Sequence, residues 1–504
     1  MVNVMKFCYL LSAVFVATSV FVGGTRASEE SRLSKDGLAG SKPNIIFVLT
    51  DDQGMGDLSC MGNEILRTPH IDRFYEVSTR FTDYHVSPTC APTRSAIMSG
   101  RAPFKNGVTH TIFQRERMAL DVYTLPQALK SAGYETGIFG KWHLGDEEEY
   151  LPGSRGFDEV LIHGAGGIGQ VNLGDFPPNG ENPYFDNVVL HNDTIVKTKG
   201  FCTDLFFQAS LAWIKEKHES KNPYFAYISL NAPHGPNYAP EKYKKRFLEA
   251  GYDENTAGRY GMVENIDDNF GLLWEKLNEW GAMENTLLIF MTDNGMSMRP
   301  IDLNGERIIP FNAGLKGRKN SPYEGGTLVP AFWYWKGVLG EGVDVDALTA
   351  HIDLYDTFGE LAGVDLPDDV QERDGRSLIP LLEDSKVEWA DRELFVHCGR
   401  WGTGKREEFK YNKCAVRTER WRFSNNAELY DVIKDPGETQ NVYSSHPEVV
   451  SQLRSAYDNW WNAVVPMMVN EGLPKVAKKD HPLAIRYRQQ LADEGIPEWV
   501  APTL

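Results

Sequence analysis

Four stretches of the chain are apolar without alternation, and they set the framework. Pro43-Asn44-Ile45-Ile46-Phe47-Val48-Leu49-Thr50 is a short continuous run of the kind found in strands buried on both faces of a parallel sheet. Asp51 and Asp52 follow at its carboxyl end. Helical spacing then returns over 125–132, and Thr136–Phe139 reads as a second strand. Tyr224–Leu230 predicts a third, ending at Asn231-Ala232-Pro233-His234. Met262–Trp280 has its apolar residues at helical spacing, and Thr286–Thr292 predicts a fourth strand that runs into Asp293-Asn294-Gly295. Strands alternating with helices predict an α/β fold whose mostly parallel sheet is covered by helices on both faces. In such sheets ligands bind beyond the carboxyl ends of the strands, where three of these four runs leave polar or ionisable groups.

The pattern changes after Leu382. Trp and Tyr become dense, and Glu428-Leu429-Tyr430-Asp431 leads into the turn-rich Lys434-Asp435-Pro436-Gly437. A catalytic-size domain over 28–385 and a smaller C-terminal α+β domain over 386–504 are expected, the latter with a helix over 448–464. At the other end Lys6 precedes an apolar run from Phe7 to Gly23, and Thr25-Arg26-Ala27 offers small residues for cleavage. Residues 1–27 therefore read as a signal peptide, and a membrane anchor is disfavoured by the shortness of the run and its Ser and Thr content. No later run is long and apolar enough to span a bilayer. A periplasmic, secreted or otherwise exported protein without stable membrane insertion is expected.

Composition narrows the function. The 504 residues carry 52 Lys+Arg against 70 Asp+Glu, a net charge of −18. Loss of Lys6 and Arg26 with the leader makes the remainder more acidic still. A surface of that sign argues against nucleic acid as a partner, because phosphate backbones need a basic face. It leaves room for an anionic substrate in a local cationic pocket. Of six cysteines, Cys8 lies in the leader, leaving Cys60, Cys90, Cys202, Cys398 and Cys414. An odd number excludes complete pairing within one chain, and Cys398 with Cys414 is the one pairing considered. Asn192-Asp193-Thr194 is a lone glycosylation sequon. The oligomeric state leaves no sign in the sequence.

Ser87-Pro88-Thr89-Cys90-Ala91-Pro92-Thr93-Arg94-Ser95 carries the most chemistry. Pro92 suits a first helical turn, so Cys90 sits at a helix N-terminus with free N–H groups, and Arg94 lies one turn on. A buried structural cysteine and a low-pKa thiolate nucleophile are the plain alternatives. Cys90-Ala91-Pro92-Thr93-Arg94 resembles the Cys-x-Pro-x-Arg signature of type I sulfatases, the formylglycine-dependent arylsulfatases of the alkaline-phosphatase-like superfamily. A second signature of that family resembles Gly133-Tyr134-Glu135-Thr136-Gly137-Ile138-Phe139-Gly140-Lys141-Trp142-His143. Ser99 and Phe139 depart slightly from the family's usual residues, at positions without a chemical role. The resemblance runs from Asn44 to the segment around 430–438. It implies an alkaline-phosphatase-like α/β sandwich, a formylglycine made from Cys90 by a formylglycine-generating enzyme, and hydrolysis of sulfate esters.

Asp51, Asp52, Asp293 and Asn294 are all oxygen ligands. Without a Cys/His set beside them they suit a hard cation, Ca²⁺ or Mg²⁺, and not zinc. Taken alone, Asp293-Asn294-Gly295 also reads as a turn and Asp51-Asp52 as a cap or solvated loop. Adjacent acids beyond a buried strand would repel one another, which favours a metal, with Ca²⁺ preferred for its tolerant shell. The resemblance implies that these four residues and the modified Cys90 hold that cation. It also implies that Lys141 and Lys316, the latter in Gly314-Leu315-Lys316-Gly317, contact sulfate oxygens. His143 would then assist the aldehyde hydrate, His234 would lie beside the leaving oxygen, and Arg94 would anchor the hydrate. Each of these has an ordinary reading as a surface Lys or a core His.

The expected activity is sulfuric ester hydrolysis on a sulfated polysaccharide, a glycosaminoglycan fragment or an aryl sulfate. Phosphomonoester, phosphodiester or phosphonate hydrolysis on the same fold is the first alternative, since fold alone does not fix function. A non-catalytic glycan-binding relic is the second. Trp142, His163, Arg400 and Trp401 are candidates for the pocket mouth, with core packing as their default reading.

Overall fold

A computed structural model describes residues 37–504. The proposed leader, 1–27, lies outside the described residues. The core is a ten-stranded sheet. At its centre Thr286–Thr292, Asn44–Thr50, Tyr224–Ser229, Glu135–Lys141 and Glu159–His163 lie side by side and parallel. Ala331–Trp335 joins one side antiparallel, and Val188–His191 and Thr194–Lys197 close the other. The sheet is thus mixed and mostly parallel.

Burial on both faces explains the unbroken apolar runs. Ile45, Phe47 and Leu49 point into one core with Phe225, Tyr227 and Ile289, beneath helices Cys90–Ser99, Leu125–Ser131 and Asp353–Ala362. Ile46 and Val48 point into the other with Ile228 and Phe290, beneath helices Cys202–Ser220 and Glu254–Glu279. Successive side chains of one strand alternate between the two cores, so no position can be polar until the strand ends.

The C-terminal part builds a four-stranded antiparallel sheet from Leu394–His397, Cys414–Arg417, Trp421–Ser424 and Glu428–Asp431. Helix Pro447–Val464 packs Val450, Leu453, Tyr457 and Trp461 on it, against Phe423 and Leu429. The chain then returns to the large sheet. Gln490 bonds both backbone groups of Ile195, and Lys197 exchanges backbone hydrogen bonds with Pro497 and Trp499. Cys60, Cys90, Cys202, Cys398 and Cys414 are all free, so the considered Cys398–Cys414 bridge does not form. Among the described residues no helix is long and apolar enough to cross a membrane.

A buried ion network joins the two sheets. Glu324 Oε1 accepts from Arg422 Nη2 at 2.7 Å and Arg417 Nε at 2.9 Å. Arg417 Nη2 also reaches Asp83 Oδ1 at 2.8 Å, and Asp83 holds His85 Nε2 at 2.8 Å. Burial alone would raise the Glu324 carboxyl, but Arg422 and Arg417 hold it well below the usual carboxylate range.

Candidate active site

The site lies at the carboxyl ends of the four central strands, where the sequence left its polar groups. Asp51 and Asp52 follow Asn44–Thr50, and Asp293 and Asn294 follow Thr286–Thr292, the adjacent parallel strand. Asp52 turns away at φ 69°, a left-handed conformation uncommon for an aspartate. Its N–H donates to Asp293 Oδ1 at 3.2 Å, and Asn294 Nδ2 donates to Asp52 Oδ1 at 2.8 Å. Register between the two strands therefore fixes all four side chains in one place.

Cys90 is the first residue of helix Cys90–Ser99, every residue of which is buried. The ligand atoms of Asp51, Cys90 and Asp293 lie within 4.8 Å of one another. One turn on, Arg94 forks Asp293 Oδ2 with Nε at 3.0 Å and Nη2 at 2.8 Å. Its Nη1 donates to the Lys141 carbonyl and to Ser229 Oγ. Lys141 ends its strand with Nζ 2.6 Å from Asp51 Oδ2. His143 sits at φ 64° and donates its Nε2–H to the Thr111 carbonyl at 2.8 Å. Gly166 permits this, because a Cβ there would come 2.4 Å from His143 Nε2. His234 donates Nδ1–H to the Gly235 carbonyl and turns Nε2 toward Asp52 Oδ2, 3.8 Å away.

Burial and charge oppose one another throughout. Burial raises the Asp51 carboxyl to about 6 against the pull of Lys141. It raises Asp293 as well, with Asp51 as the next cause. At Asp52 burial is outweighed by Lys319 and His234, and the acid falls well below its usual range. Burial pushes the Cys90 thiol up, yet Lys141 and Lys319 bring it below its ordinary value. His234 drops to about 4, by burial first and Lys319 second, so it is neutral at pH 7. Two buried oxygens, Asp51 Oδ1 and Asn294 Oδ1, have no hydrogen-bond partner. Bare oxygens among carboxylates are what a hard cation takes, so these residues fit one.

The structure brings together Asp51, Asp52, Cys90, Arg94, Lys141, His143, His234, Asp293 and Asn294. Lys316 is not among them. Its Nζ donates to Tyr430 Oη at 2.6 Å and lies over the rings of Tyr323 and Tyr430. The lysine that enters is Lys319, with Nζ 2.5 Å from Asp52 Oδ1. Flanking glycines drew attention to Lys316. No sequence signal marks Lys319, which is placed by the anchoring of Glu324, five residues on, in the ion network. Arg259 was also missed. It is buried in helix Glu254–Glu279 and binds the carbonyls of Asp52 and Pro233, holding two site loops together.

Comparison with known proteins gives a match of the family model "Sulfatase" over residues 43–364. The chain belongs to the sulfatase family. A second model, "N-sulphoglucosamine sulphohydrolase, C-terminal", matches residues 318–460 of this sulfatase. N-acetylgalactosamine-6-sulfatase of Rattus norvegicus is 31% identical over 386 residues, 71% of this chain and 68% of that protein. Arylsulfatase A of Homo sapiens is 28% identical over 490 residues, covering 88% and 93%. The crystal structure of Ps i-CgsB in complex with k-i-k-neocarrahexaose superposes with a TM-score of 0.73 at 25% identity, covering 90% of this chain and 98% of that one. The sulfatase is accordingly a sulfuric ester hydrolase with the alkaline-phosphatase-like fold. Trp142, His163 and Trp401 prove to be core residues, as the default reading had them, whereas Arg400 lines an open cavity above the site.

Proposed function

We propose that this sulfatase is exported and removes sulfate from a sulfated polysaccharide or glycosaminoglycan fragment. In this reading Cys90 is converted to formylglycine, and one divalent cation, Ca²⁺ in preference to Mg²⁺, is held by Asp51, Asp52, Asp293 and Asn294. The observation that carries it is the convergence of Cys90, Asp51 and Asp293 within 4.8 Å, flanked by Lys141 and Lys319. A thiol at that position would be left carrying a covalent sulfate that it has no second hydroxyl to expel. Formylglycine supplies instead the paired hydroxyls of an aldehyde hydrate, one to attack sulfur and one to let sulfate go. The cation supplies positive charge to the sulfate oxygens.

The remaining work falls to this chain's own side chains. Lys141 and Lys319 stand where sulfate oxygens gather charge, a role in which fixed cations lower the barrier. Arg94 holds Asp293 by two hydrogen bonds and so positions the cation's ligands. With its Nε2–H fixed on Thr111, His143 keeps a lone pair on Nδ1, a buried atom without a partner, to accept a proton. His234 Nε2 faces the cavity beside Lys319. An arriving sulfate anion offsets Lys319, raises the imidazole and prepares it to donate to the leaving oxygen.

A sulfated sugar as substrate is supported by the N-acetylgalactosamine-6-sulfatase relatives and by the carrageenan-type hexaose in the similar crystal structure. Export rests on the Lys6 to Ala27 pattern. Peptide mass spectrometry of the 87–99 region tests the modification. Sulfate release from a panel of defined sulfated sugars tests the reaction. Full activity from protein whose Cys90 is entirely thiol would overturn the mechanism.

A further inference from the structure

Above the site opens a cavity of about 930 Å³. Its walls carry six cations: Arg299, Lys316, Arg318, Lys319, Arg400 and Lys413. The only carboxylate among them is Asp52, already held by Lys319. On a protein of net charge −18 this is a local inversion of sign. Like charges gathered in one concavity repel, and the concavity focuses their field on whatever anion enters.

Two of the cations have employment elsewhere. Lys319 faces Asp52, and Lys316 lies 3.7 Å from Glu428 and against Tyr323 and Tyr430. The other four, Arg299, Arg318, Arg400 and Lys413, have no carboxylate partner among the described residues, although Arg318 Nη1 donates to the Met298 carbonyl at 3.1 Å and Arg400 Nη2 to Thr111 Oγ1 at 2.6 Å. Two of them are also held in a costly backbone. Arg400 has φ 63° and Lys413 φ 57°, both left-handed and neither a glycine. Such conformations persist where the surroundings enforce them and gather at ligand sites. Here the enforcement is visible: Arg400 N donates to the Thr109 carbonyl, and the Lys413 carbonyl accepts from Cys398 N. Arg299 and Arg318 come from the catalytic part, Arg400 and Lys413 from the loop between strands Leu394–His397 and Cys414–Arg417 of the small C-terminal sheet, so the two parts face one another across the cavity.

We propose that Arg299, Arg318, Arg400 and Lys413 form a second anion subsite, which reads a sulfate or carboxylate on the substrate beyond the one being removed. The substrate is therefore a multiply charged chain, bound across both parts of the protein. This rests on the sulfatase reading of the site below, and it adds a specificity that the reaction itself does not require.

Isothermal titration of the whole protein tests it by binding. The probes are a sulfated dextran oligosaccharide, a carboxymethylated one of the same length, and glucose 6-sulfate. The sulfated oligosaccharide is expected to bind at least about tenfold tighter than glucose 6-sulfate, with the advantage shrinking as salt rises. Arg400→Gln with Lys413→Gln removes about tenfold from the oligosaccharide and much less from glucose 6-sulfate. Arg299→Gln with Arg318→Gln does the same from the opposite wall, so a folding defect in one pair does not decide the matter. Lys199→Ala, which removes an exposed charge elsewhere, changes neither. A preference for the sulfated over the carboxymethylated probe assigns the subsite to sulfate, and equal binding assigns it to anionic charge in general; both support it. No advantage over glucose 6-sulfate, or equal losses on both ligands in both double variants, overturns it. Release of sulfate from 4-nitrophenyl sulfate is followed in parallel. Its absence with polyanion binding intact would fault the reading of the reaction and leave the subsite standing.

Discussion

Two buried clusters of acids in this molecule have similar ingredients and opposite character. In the network between the sheets, Glu324 meets Arg417 and Arg422, whose planar guanidiniums deliver several directed hydrogen bonds to one carboxylate. At the active site Asp51 meets a single ammonium, Lys141, on one oxygen, and its other oxygen has no partner. Glu324 is accordingly held below its usual range and Asp51 above it. The network's weak member is Glu438, whose Oε2 accepts from Glu324 N at 2.8 Å, whose Oε1 has no hydrogen-bond partner, and which burial raises to about 7. A carboxylate met by as many directed donors as Glu324 is a fastening. A cluster that leaves oxygens bare, at a cost in stability, is suited to a charge from outside.

The sharpest way to break this contrast is to remove Glu324. Glu324→Ala leaves two buried guanidiniums without their carboxylate and is expected to destabilise the fold by about 3–5 kcal/mol, read by denaturant unfolding. Asp51→Asn should cost far less; equal losses would erase the distinction.

Next come the two lysines of one loop. Lys319→Ala is expected to lower kcat/KM on 4-nitrophenyl sulfate by about 10²–10³-fold, as loss of a charge-stabilising donor does, with little change in unfolding midpoint. Lys316→Ala should cost that substrate less than tenfold. The reverse order would return Lys316 to the site.

Metal removal separates the clusters again. Chelation should lower the thermal midpoint of the wild type, since a ligand at 100 times its Kd contributes about 2.7 kcal/mol. The shift should be absent in Asp51→Asn with Asp293→Asn and intact in Glu324→Gln. The smallest effect is in pH. Glu324 is held below its unfolded value, so its contribution is complete above that value and lost only as pH falls through the folded one. Read in a Glu438→Gln background, which removes the neighbour raised to about 7, the stability gap caused by Glu324→Gln should thus stay level from pH 8 to 5 and close only in stronger acid.

Much of the site was legible because strands buried on both faces leave an unmistakable trace. Ile45–Leu49 and Leu287–Met291 admit no polar residue, so the first acids after them mark the edge where ligands bind. Lys319 was not legible, since what brings it in is the anchoring of Glu324 by Arg422, 98 residues away. The return of 481–499 to the large sheet was equally hidden. Its apolar anchors, Leu483, Tyr487, Ile496 and Trp499, are few and scattered, and the rest of its docking runs through backbone groups and Gln490, which leave no sustained hydrophobic period.

That return has a consequence in time. Thr194–Lys197 is one of the two edge strands of the ten, and its free side is covered by residues 295 positions later. At synthesis rates of 5–20 residues per second the cover arrives roughly 15–60 s after the strand. Through that interval the nascent sheet shows an open row of N–H and C=O groups, a template for any other extended chain nearby. This open edge therefore exists only while the protein is being made, and whatever guards the emerging chain must outlast that delay.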